Sequence, residues 1–242
     1  MNTKNESDQA NREAWATRLG ALTQEARVGV TAPNTPFANR NVAPLPKRIN
    51  LGSGKNWHPD FLNIDINDAW NPDVVADFNH IFPGERAVLR TERFGEVVIG
   101  PGQFEVIVAH DVLEHVRELT TCVTNCLNLL VNGGLFEIVV PYDLSYGAWQ
   151  DPTHVRAFNE RSWLYYTDWF WYLGWSESRF ETIKLDFHLS EIGKALAAKG
   201  MQQEQITSTP RAVDSMRVVL RKIPLSDDDR RVLAQQQRGP QR

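Results

Sequence analysis

The sequence predicts an α/β protein built on a doubly wound, mostly parallel sheet. Segments with the character of strands alternate with segments of helical period, which is the pattern of successive βαβ units. Residues 104–109 and 135–140 are continuous apolar runs, as expected of strands that are covered on both faces. The length of 242 residues suits one sizeable core, so we expect one main domain with short appendages.

The predicted elements follow in order along the central part of the chain. The strands are residues 48–51, 61–66, 104–109, 135–140, 181–187 and 216–222. The helices are residues 113–130 and 190–199. Asn132, Gly133 and Gly134 end the first helix, and Gly200 ends the second. Residues 79–103 show no pattern that assigns them to an element.

The two ends and one internal segment differ from this central block. Residues 1–45 are predicted to form an arm with a short amphipathic helix at 11–22 and a proline-containing linker. The main domain spans residues 46–225, and residues 226–242 form a polar tail that frays from about residue 235. Thirteen of the 24 aromatic residues lie within residues 142–180, so we expect this segment to cap the domain and choose its substrate.

Composition excludes several classes of function. The net charge of −4 and the absence of a basic run do not support binding to nucleic acid or to an anionic membrane. There is no apolar window of membrane-spanning length and no signal-peptide pattern, so we expect a cytoplasmic protein. Cys122 and Cys126 are expected to be reduced thiols, and no further ligands stand at zinc spacing, so no metal site is predicted.

A glycine turn and a following acid form the strongest local motif. Gly52, Ser53 and Gly54 follow the strand at 48–51, and Asp65 stands at the end of the next strand. Ligands bind beyond the carboxyl ends of parallel strands, where an acid can accept both hydroxyls of a ribose. A dinucleotide site needs a third glycine and an acid about 20 residues further on. Trp57 occupies the third position, so the spacing favours S-adenosylmethionine over NAD.

Four stretches together resemble the class I S-adenosylmethionine-dependent methyltransferases, in particular bacterial members of the methyltransferase-11 and methyltransferase-23 type. They read INLGSGKNWHPDFLNIDI (49–66), VVADF (74–78), FEVIVAHDVLEHV (104–116) and LNLLVNGGLFEIVVP (127–141). The resemblance implies a Rossmann-like, seven-stranded sheet whose last strand is antiparallel, with S-adenosylmethionine as the cofactor. The residues implied to contact the cofactor are Gly52, Ser53, Gly54, Asp65, Ile66, Asp77, Phe78, His110 and Asp111.

The resemblance implies that separate segments of the chain contact different parts of the cofactor. The glycine turn faces the methionine part, and Asp65 holds the ribose hydroxyls. Asp77 accepts from the adenine amino group, although a capping role for this residue is an open alternative. His110 and Asp111 line the pocket near the sulfonium. The pair Glu114-His115 opens the following helix, where it is often structural.

The motif Asp151-Pro152-Thr153-His154-Val155-Arg156 resembles a signature of bacterial methyltransferases near saccharide and natural-product pathways. His154 is the first candidate for a general base, because imidazole titrates near neutral pH; His115 is a weaker one. Asp151 is a candidate to orient the base, and Arg156 to hold a substrate carboxylate or phosphate. The alternative for Asp151 and His154 is a hydrogen-bonded loop clamp. A metal-dependent variant would require Asp111, Asp143 and Asp151 to converge.

The aromatic segment allows three interpretations: walls for a ring or saccharide, a homodimer interface, or packing against the sheet. The candidate substrate contacts are Tyr146, Trp149, Tyr165 and Trp169. We therefore predict methyl transfer to a hydroxyl, or less readily a nitrogen, of a small molecule such as a saccharide. Two alternatives stay open: a non-catalytic binding or assembly module with this fold, and an NAD-linked Rossmann enzyme.

Overall fold

The computed structural model describes residues 45–80 and 87–237. The predicted helix at 11–22 and nearly all of the predicted arm lie outside these residues. Seven strands form one sheet, and two further strands form a separate hairpin. The strands are β1 (Arg48–Leu51), β2 (Leu62–Asp65), β3 (Val74–Val75), β4 (Ala87–Thr91), β5 (Gly95–Ile99), β6 (Phe104–His110), β7 (Leu130–Pro141), β8 (Ser178–Leu189) and β9 (Val213–Pro224).

The main sheet has the strand order β3-β2-β1-β6-β7-β9-β8. Pairing is parallel from β3 through β7, whereas β9 runs antiparallel to both β7 and β8. The order reverses between β1 and β6, because the chain first builds outward to β3 and then returns to the other side of β1. The predicted doubly wound, mostly parallel, seven-stranded sheet is thus confirmed, with the last strand of the chain antiparallel.

The central strands form the core, as their apolar runs predicted. Every residue of β2 is buried, and so are five of the seven residues of β6. The helices of the described residues are α1 (Leu119–Leu129), α2 (Gly147–Gln150), α3 (Glu191–Ala198), α4 (Gln203–Thr207) and α5 (Asp227–Gln237). Cys122 and Cys126 are buried free thiols on α1. No helix within the described part of the chain is long and apolar enough to cross a membrane.

Helix α1 begins six residues later than the sequence predicts. The prediction of a helix from residue 113 is wrong because the preceding backbone is held by a distant loop. The amide of Val155 donates to the carbonyl of Glu114 at 2.8 Å. The guanidinium of Arg156 donates to the carbonyls of Val116 and Arg117 at 2.8 and 2.6 Å. These carbonyls would accept helical hydrogen bonds in a continuous helix, so residues 113–115 form a turn and residues 116–118 are irregular.

The segment 79–103, left unassigned by the sequence, contains the β4–β5 hairpin. Its strands pair antiparallel from Ala87 opposite Ile99 to Thr91 opposite Gly95. The Thr91 hydroxyl donates to the Gly95 carbonyl and accepts from the Phe94 amide, which closes the turn. Burial alternates along β5 as in a half-buried strand, but the sequence there, Val97-Val98-Ile99, is continuously apolar and does not show this alternation.

The predicted polar tail contains helix α5, which sequence reasoning missed. Asp229 anchors the start of this helix: it accepts from the amide and hydroxyl of Ser226 and pairs with Arg179 of β8 at 3.0 Å. Leu233 buries its side chain against the core. Because only one residue of the helix is apolar and buried, the segment has almost no periodic apolar signal.

Candidate active site

A cavity lies at the carboxyl ends of β1, β2 and β6, where the strand order reverses. This is the position at which open α/β sheets bind their ligands. The cavity has a volume of about 260 Å³. Its walls are formed by Leu51, Gly52, Asp65, Ile66, Ala76, Asp77, Phe78, Asn79, Asp111, Val112, His115, Val116 and Cys122. Six of the nine residues predicted to contact a cofactor are in this set.

The turn after β1 can only be built with glycine at its first position. Gly52 has φ +64°, in the left-handed region that side chains disfavour. A β-carbon there would also collide with a methyl carbon of Val112, which follows β6. The backbone at the end of β1 therefore packs directly against the side chain of Val112. The Val112 side chain fills the space beside Gly52 in this part of the cavity wall.

We expect Gly52→Ala to destabilise the protein more than a matched glycine substitution does. Gly102 has the same conformation, with φ +66°, but a β-carbon added to it would meet no described atom within 4 Å. Gly102→Ala should cost only the left-handed strain, about 1–2 kcal/mol. Gly52→Ala should cost about 1–3 kcal/mol more because it overpacks the contact with Val112. Urea denaturation measures both, and equal losses would show that the close approach is unimportant.

Asp65 is held in place by two backbone amides at the mouth of the cavity. The Gly54 amide donates to Oδ2 at 2.8 Å, and the Asn67 amide donates to Oδ1 at 2.9 Å. Asp65 is 8% exposed, and each of its oxygens has a further lone pair. The carboxylate is thus fixed and can still accept hydrogen bonds from a ligand that carries two neighbouring hydroxyls. Gly54 contributes by orienting this acid, and it does not line the cavity.

Asp77 and Phe78 follow the short strand β3 and form another wall. The amide and side chain of Asn79 donate to Asp77 Oδ1 at 2.9 and 2.6 Å, so part of the carboxylate is used in a local turn. No helix begins at Asp77 among the described residues, so these hydrogen bonds form a local turn in place of a helix cap, and His80 Nε2 lies 3.4 Å from the other carboxylate oxygen. The Asn79 side chain also accepts from the amide of Glu118, which ties this wall to the start of α1. Asn79 is a lining residue that sequence reasoning missed.

The structure places Asp111 and His110, adjacent at the end of β6, in different surroundings. Asp111 lines the cavity and has φ +54°. Desolvation by the surrounding protein raises the pKa of Asp111, and the charges of His110, His115 and His154 partly oppose this rise. His110 instead lies beside Glu137 of β7, with Nε2 at 3.4 Å from Oε1, and is not among the residues that line the cavity.

Glu137 is the centre of an ionic row that crosses four neighbouring strands. Arg217 of β9 binds it with two hydrogen bonds of 3.0 and 2.8 Å, and Asp186 of β8 lies 3.5 Å from the same guanidinium. Burial alone would raise the pKa of Glu137, but hydrogen bonds from His110 and Arg217 outweigh burial and lower it to about 2. The row fixes His110, and with it the strand end that precedes Asp111.

Two histidines from distant segments meet beside the cavity. The rings of His115 and His154 contact edge to face, with centroids 4.6 Å apart. His115 lines the cavity, whereas His154 does not line it and contacts the ring of His115. Glu114 lies next to both and is 1% exposed. Burial, together with the charges of Asp111 and Asp151, raises the pKa of Glu114 to about 7.

The remaining residues of the Asp-Pro-Thr-His motif organise the loop. Asp151 accepts from the Thr153 amide and hydroxyl at 2.8 and 2.7 Å, and these bonds lower the pKa of its exposed carboxyl. The guanidinium of Arg156 donates hydrogen bonds to the carbonyls of residues 116 and 117. This group was predicted to bind a substrate anion; in the structure it binds the loop after β6. These contacts are those of a loop clamp, which was the alternative for Asp151.

The aromatic segment divides between the core and the surface. Trp163, Tyr166, Phe170 and Trp175 are buried, with Trp163 stacked on Phe158. The four candidate substrate contacts are all exposed: Tyr146 at 62%, Trp149 at 67%, Tyr165 at 43% and Trp169 at 37%. None of the four lines the cavity. Short 3-10 helices at Glu160–Trp163 and Phe170–Leu173 turn successive rings in different directions, which produces this division.

A second, larger cavity of about 610 Å³ lies between the loop before β3 and the β4–β5 hairpin. Trp57 and Trp70 form part of its wall, and Arg93 crosses it to pair with Asp73 at 2.6 Å. This cavity does not include the carboxyl ends of β1 and β6. The smaller cavity is the better candidate site, because it alone of the two combines the glycine turn, Asp65 and Asp111.

The chain matches no protein-family model and no curated protein. Solved structures similar to it include an S-adenosylmethionine-dependent methyltransferase from Archaeoglobus fulgidus, at 13% identity and a TM-score of 0.46 over 73% of this chain and 86% of that one. One from Mesorhizobium loti has 12% identity and a TM-score of 0.44 over 72% and 89%. The [4+2]-cyclase SpnF has 12% identity and a TM-score of 0.45 over 86% and 93%. The strand order defines this chain as a Rossmann-like α/β protein, with a cavity at the reversal point of its sheet.

Proposed function

We propose that the protein transfers a methyl group from S-adenosylmethionine to a hydroxyl of a small molecule such as a saccharide. The convergence of separate segments on one cavity supports this proposal. Gly52, Asp65, Asp77 and Asp111 follow four different strands of the sheet and meet at the point where the strand order reverses. This arrangement suits a nucleoside that is read at its ribose, its base and the group attached to its 5′ carbon.

The residues at the cavity fit each part of that cofactor. Asp65 is fixed by backbone amides and keeps lone pairs for two ribose hydroxyls. Asp77 and Phe78 line the same cavity and are proposed to recognise the adenine amino group and ring. The main chain at Gly52 lines the cavity and is proposed to lie against the amino acid part. When bound, S-adenosylmethionine supplies a methyl group on a positively charged sulfur, so the protein's main tasks are to align the acceptor and to exclude water.

His154 is the proposed general base. The carbonyl of Ala148 can only accept, so the contact of 3.1 Å with His154 Nδ1 requires a proton on Nδ1. Nε2 then carries the lone pair in the neutral ring. This nitrogen can take the proton that an acceptor hydroxyl loses. The exposed rings of Tyr146 and Trp149, which belong to the same loop region, are proposed to hold the acceptor.

The cofactor part of the proposal is tested by thermal unfolding in the presence of two ligands. S-adenosylhomocysteine should raise the melting temperature by several degrees, because a ligand that binds only the folded state stabilises it. NAD at the same concentration should have no effect, because the turn lacks a third glycine for its pyrophosphate. Stabilisation by NAD alone would favour the dinucleotide alternative, and no stabilisation by either ligand would contradict the proposal.

We expect His154→Ala to lower the turnover number by about 100- to 10,000-fold, the usual contribution of a general base. The affinity for S-adenosylhomocysteine should stay nearly unchanged, because His154 does not line the cavity. Transfer of a tritiated methyl group to a panel of saccharides measures turnover, and calorimetry measures affinity. His188→Ala is the matched control, since His188 is exposed on β8. A loss of cofactor affinity in the first variant would make His154 a cofactor contact or a structural residue.

A further inference from the structure

Glu114, His115 and His154 form a group that could hold a metal ion. One potential ligand atom of each side chain lies within 4.8 Å of those of the other two. Glu114 and His115 belong to the turn after β6, whereas His154 belongs to the loop that follows α2. The hydrogen bond from the Val155 amide to the Glu114 carbonyl holds the two segments together. The fold, rather than a local motif, therefore assembles this group.

Both imidazoles are oriented so that one nitrogen remains available. The Thr153 hydroxyl donates its proton to Asp151, so its contact of 2.9 Å with His115 Nδ1 places the shared proton on Nδ1. The Ala148 carbonyl fixes a proton on Nδ1 of His154 in the same way. Each ring thus presents the lone pair of Nε2. A histidine that binds a metal characteristically donates its other ring proton to a carbonyl or to a group bonded to a carboxylate.

Glu114 supplies an independent indication of a ligand. Its side chain is 1% exposed, and neither carboxylate oxygen has a hydrogen-bond partner among the described residues. A buried carboxylate without a partner is costly to maintain, and such groups are normally paired or coordinated to a metal. At least one of these oxygens lies within 4.8 Å of a ring nitrogen of each imidazole, so a cation held among the three side chains would compensate the carboxylate charge.

We infer that Glu114, His115 and His154 bind a divalent transition-metal ion at the edge of the cofactor cavity. Two imidazoles and one carboxylate suit Zn²⁺, Mn²⁺, Fe²⁺ or Co²⁺, and three protein ligands leave coordination positions open. His115 also lines the cavity, so an ion held by this group would lie beside the region where a methyl acceptor is expected. The sequence prediction of no metal site was based on the spacing of the cysteines and on the aspartates, and it did not include Glu114, His115 and His154 as a group.

This inference rests on the proposed function and changes the role of His154 within it. A ring nitrogen that coordinates a metal cannot accept a proton at the same time. A bound ion would itself lower the pKa of a coordinated acceptor hydroxyl. An ion held by these residues would leave His154 unavailable as a base, and the proton of the acceptor hydroxyl would pass to water or buffer. The general-base role applies to the protein without a metal.

The test is a titration of the full-length protein, first treated with a chelator, with Co²⁺ and then Zn²⁺. Co²⁺ coordinated by protein nitrogen and oxygen atoms absorbs visible light, so binding is observed without any methyl acceptor. We expect saturation at one Co²⁺ per chain and loss of the absorption when Zn²⁺ displaces it. Glu114→Gln, His115→Ala and His154→Ala should each weaken binding at least about 10-fold, as loss of a ligand should, whereas His188→Ala should not.

Glu114→Gln keeps the shape of the side chain and removes its buried charge, so we expect this variant to fold and to melt at a higher temperature than the metal-free parent. Circular dichroism confirms that each variant is folded. No saturable binding by the parent protein, or binding that the three variants leave unchanged, would overturn the inference. S-adenosylhomocysteine affinity, measured on the same samples, separates this outcome from failure of the proposed function: retained affinity without metal binding overturns the metal site alone.

Discussion

Asp65→Asn is expected to weaken binding of S-adenosylhomocysteine by at least about 100-fold. Each hydrogen bond to a charged group contributes about 1.5–3 kcal/mol, and the carboxylate of Asp65 is placed to accept two of them from a ribose. An amide has one acceptor oxygen where the carboxylate has two. The buried position of Asp65, at 8% exposure, keeps water from replacing the lost contacts. Isothermal titration calorimetry measures the change directly.

Asp60→Asn is the matched control, because Asp60 carries the same charge on the exposed loop before β2 and does not line the cavity. It should bind S-adenosylhomocysteine like the parent protein. Asp65 also orients the amides of Gly54 and Asn67, so circular dichroism and a melting curve must accompany the binding data. A folded Asp65→Asn variant with unchanged affinity would show that the acid does not hold the ribose.

Arg217→Met is expected to destabilise the protein by about 3–5 kcal/mol, the usual cost of removing one partner of a buried ion pair. The substitution leaves the carboxylate of Glu137, which is 1% exposed, without its two guanidinium hydrogen bonds. The variant with both Glu137→Gln and Arg217→Met should recover most of the loss, since no uncompensated charge then remains. Chemical denaturation at pH 7 compares the three proteins. Equal stability of all three would contradict a structural role for the ionic row.

The same ion pair gives stability an acid dependence with a defined sign. The pKa of Glu137 lies at about 2 in the folded protein and ordinarily near 4.5, so the unfolded chain takes up this proton first as the pH falls. The contribution of Glu137 is complete above pH 4.5 and disappears between about pH 4.5 and 2. A steeper acid loss in the parent than in the doubly substituted variant is the expected result.

The sheet could be predicted because its strands depend on local apolar runs. Strands β1 and β6 match their predicted positions, since continuous burial produces a pattern that needs no partner to be read. Strand β7 was predicted only over residues 135–140; it begins at Leu130, so Asn132, Gly133 and Gly134 belong to the strand and are not the stop of the helix. Helix α1 was started too early because the apolar period continues through Leu113 and Val116, whereas carbonyl contacts from residues 155 and 156 break the helix there. Helix α5 was missed because Leu233 is its one buried apolar residue.

In the candidate site, too, features set by local sequence could be predicted and contacts between distant residues could not. Residues that follow strand ends, such as Gly52, Asp65 and Asp111, could be placed from the sequence because topology alone brings strand ends together. The commitment of Arg156 to the loop after β6 joins residues about 40 positions apart and has no sequence signal. The contact between Glu114 and His154 also joins residues that are distant in the sequence, so it could not be predicted from the sequence.

Hydrogen exchange with and without S-adenosylhomocysteine tests most directly the claim that the smaller cavity is the cofactor site. The proposal predicts slower amide exchange in peptides that cover residues 52–56, 65–67 and 111–116, where the glycine turn, Asp65 and Asp111 lie. Peptides covering residues 87–93, beside the larger cavity, should exchange as before. Protection confined to residues 87–93, or no protection at all at saturating ligand, would contradict the assignment.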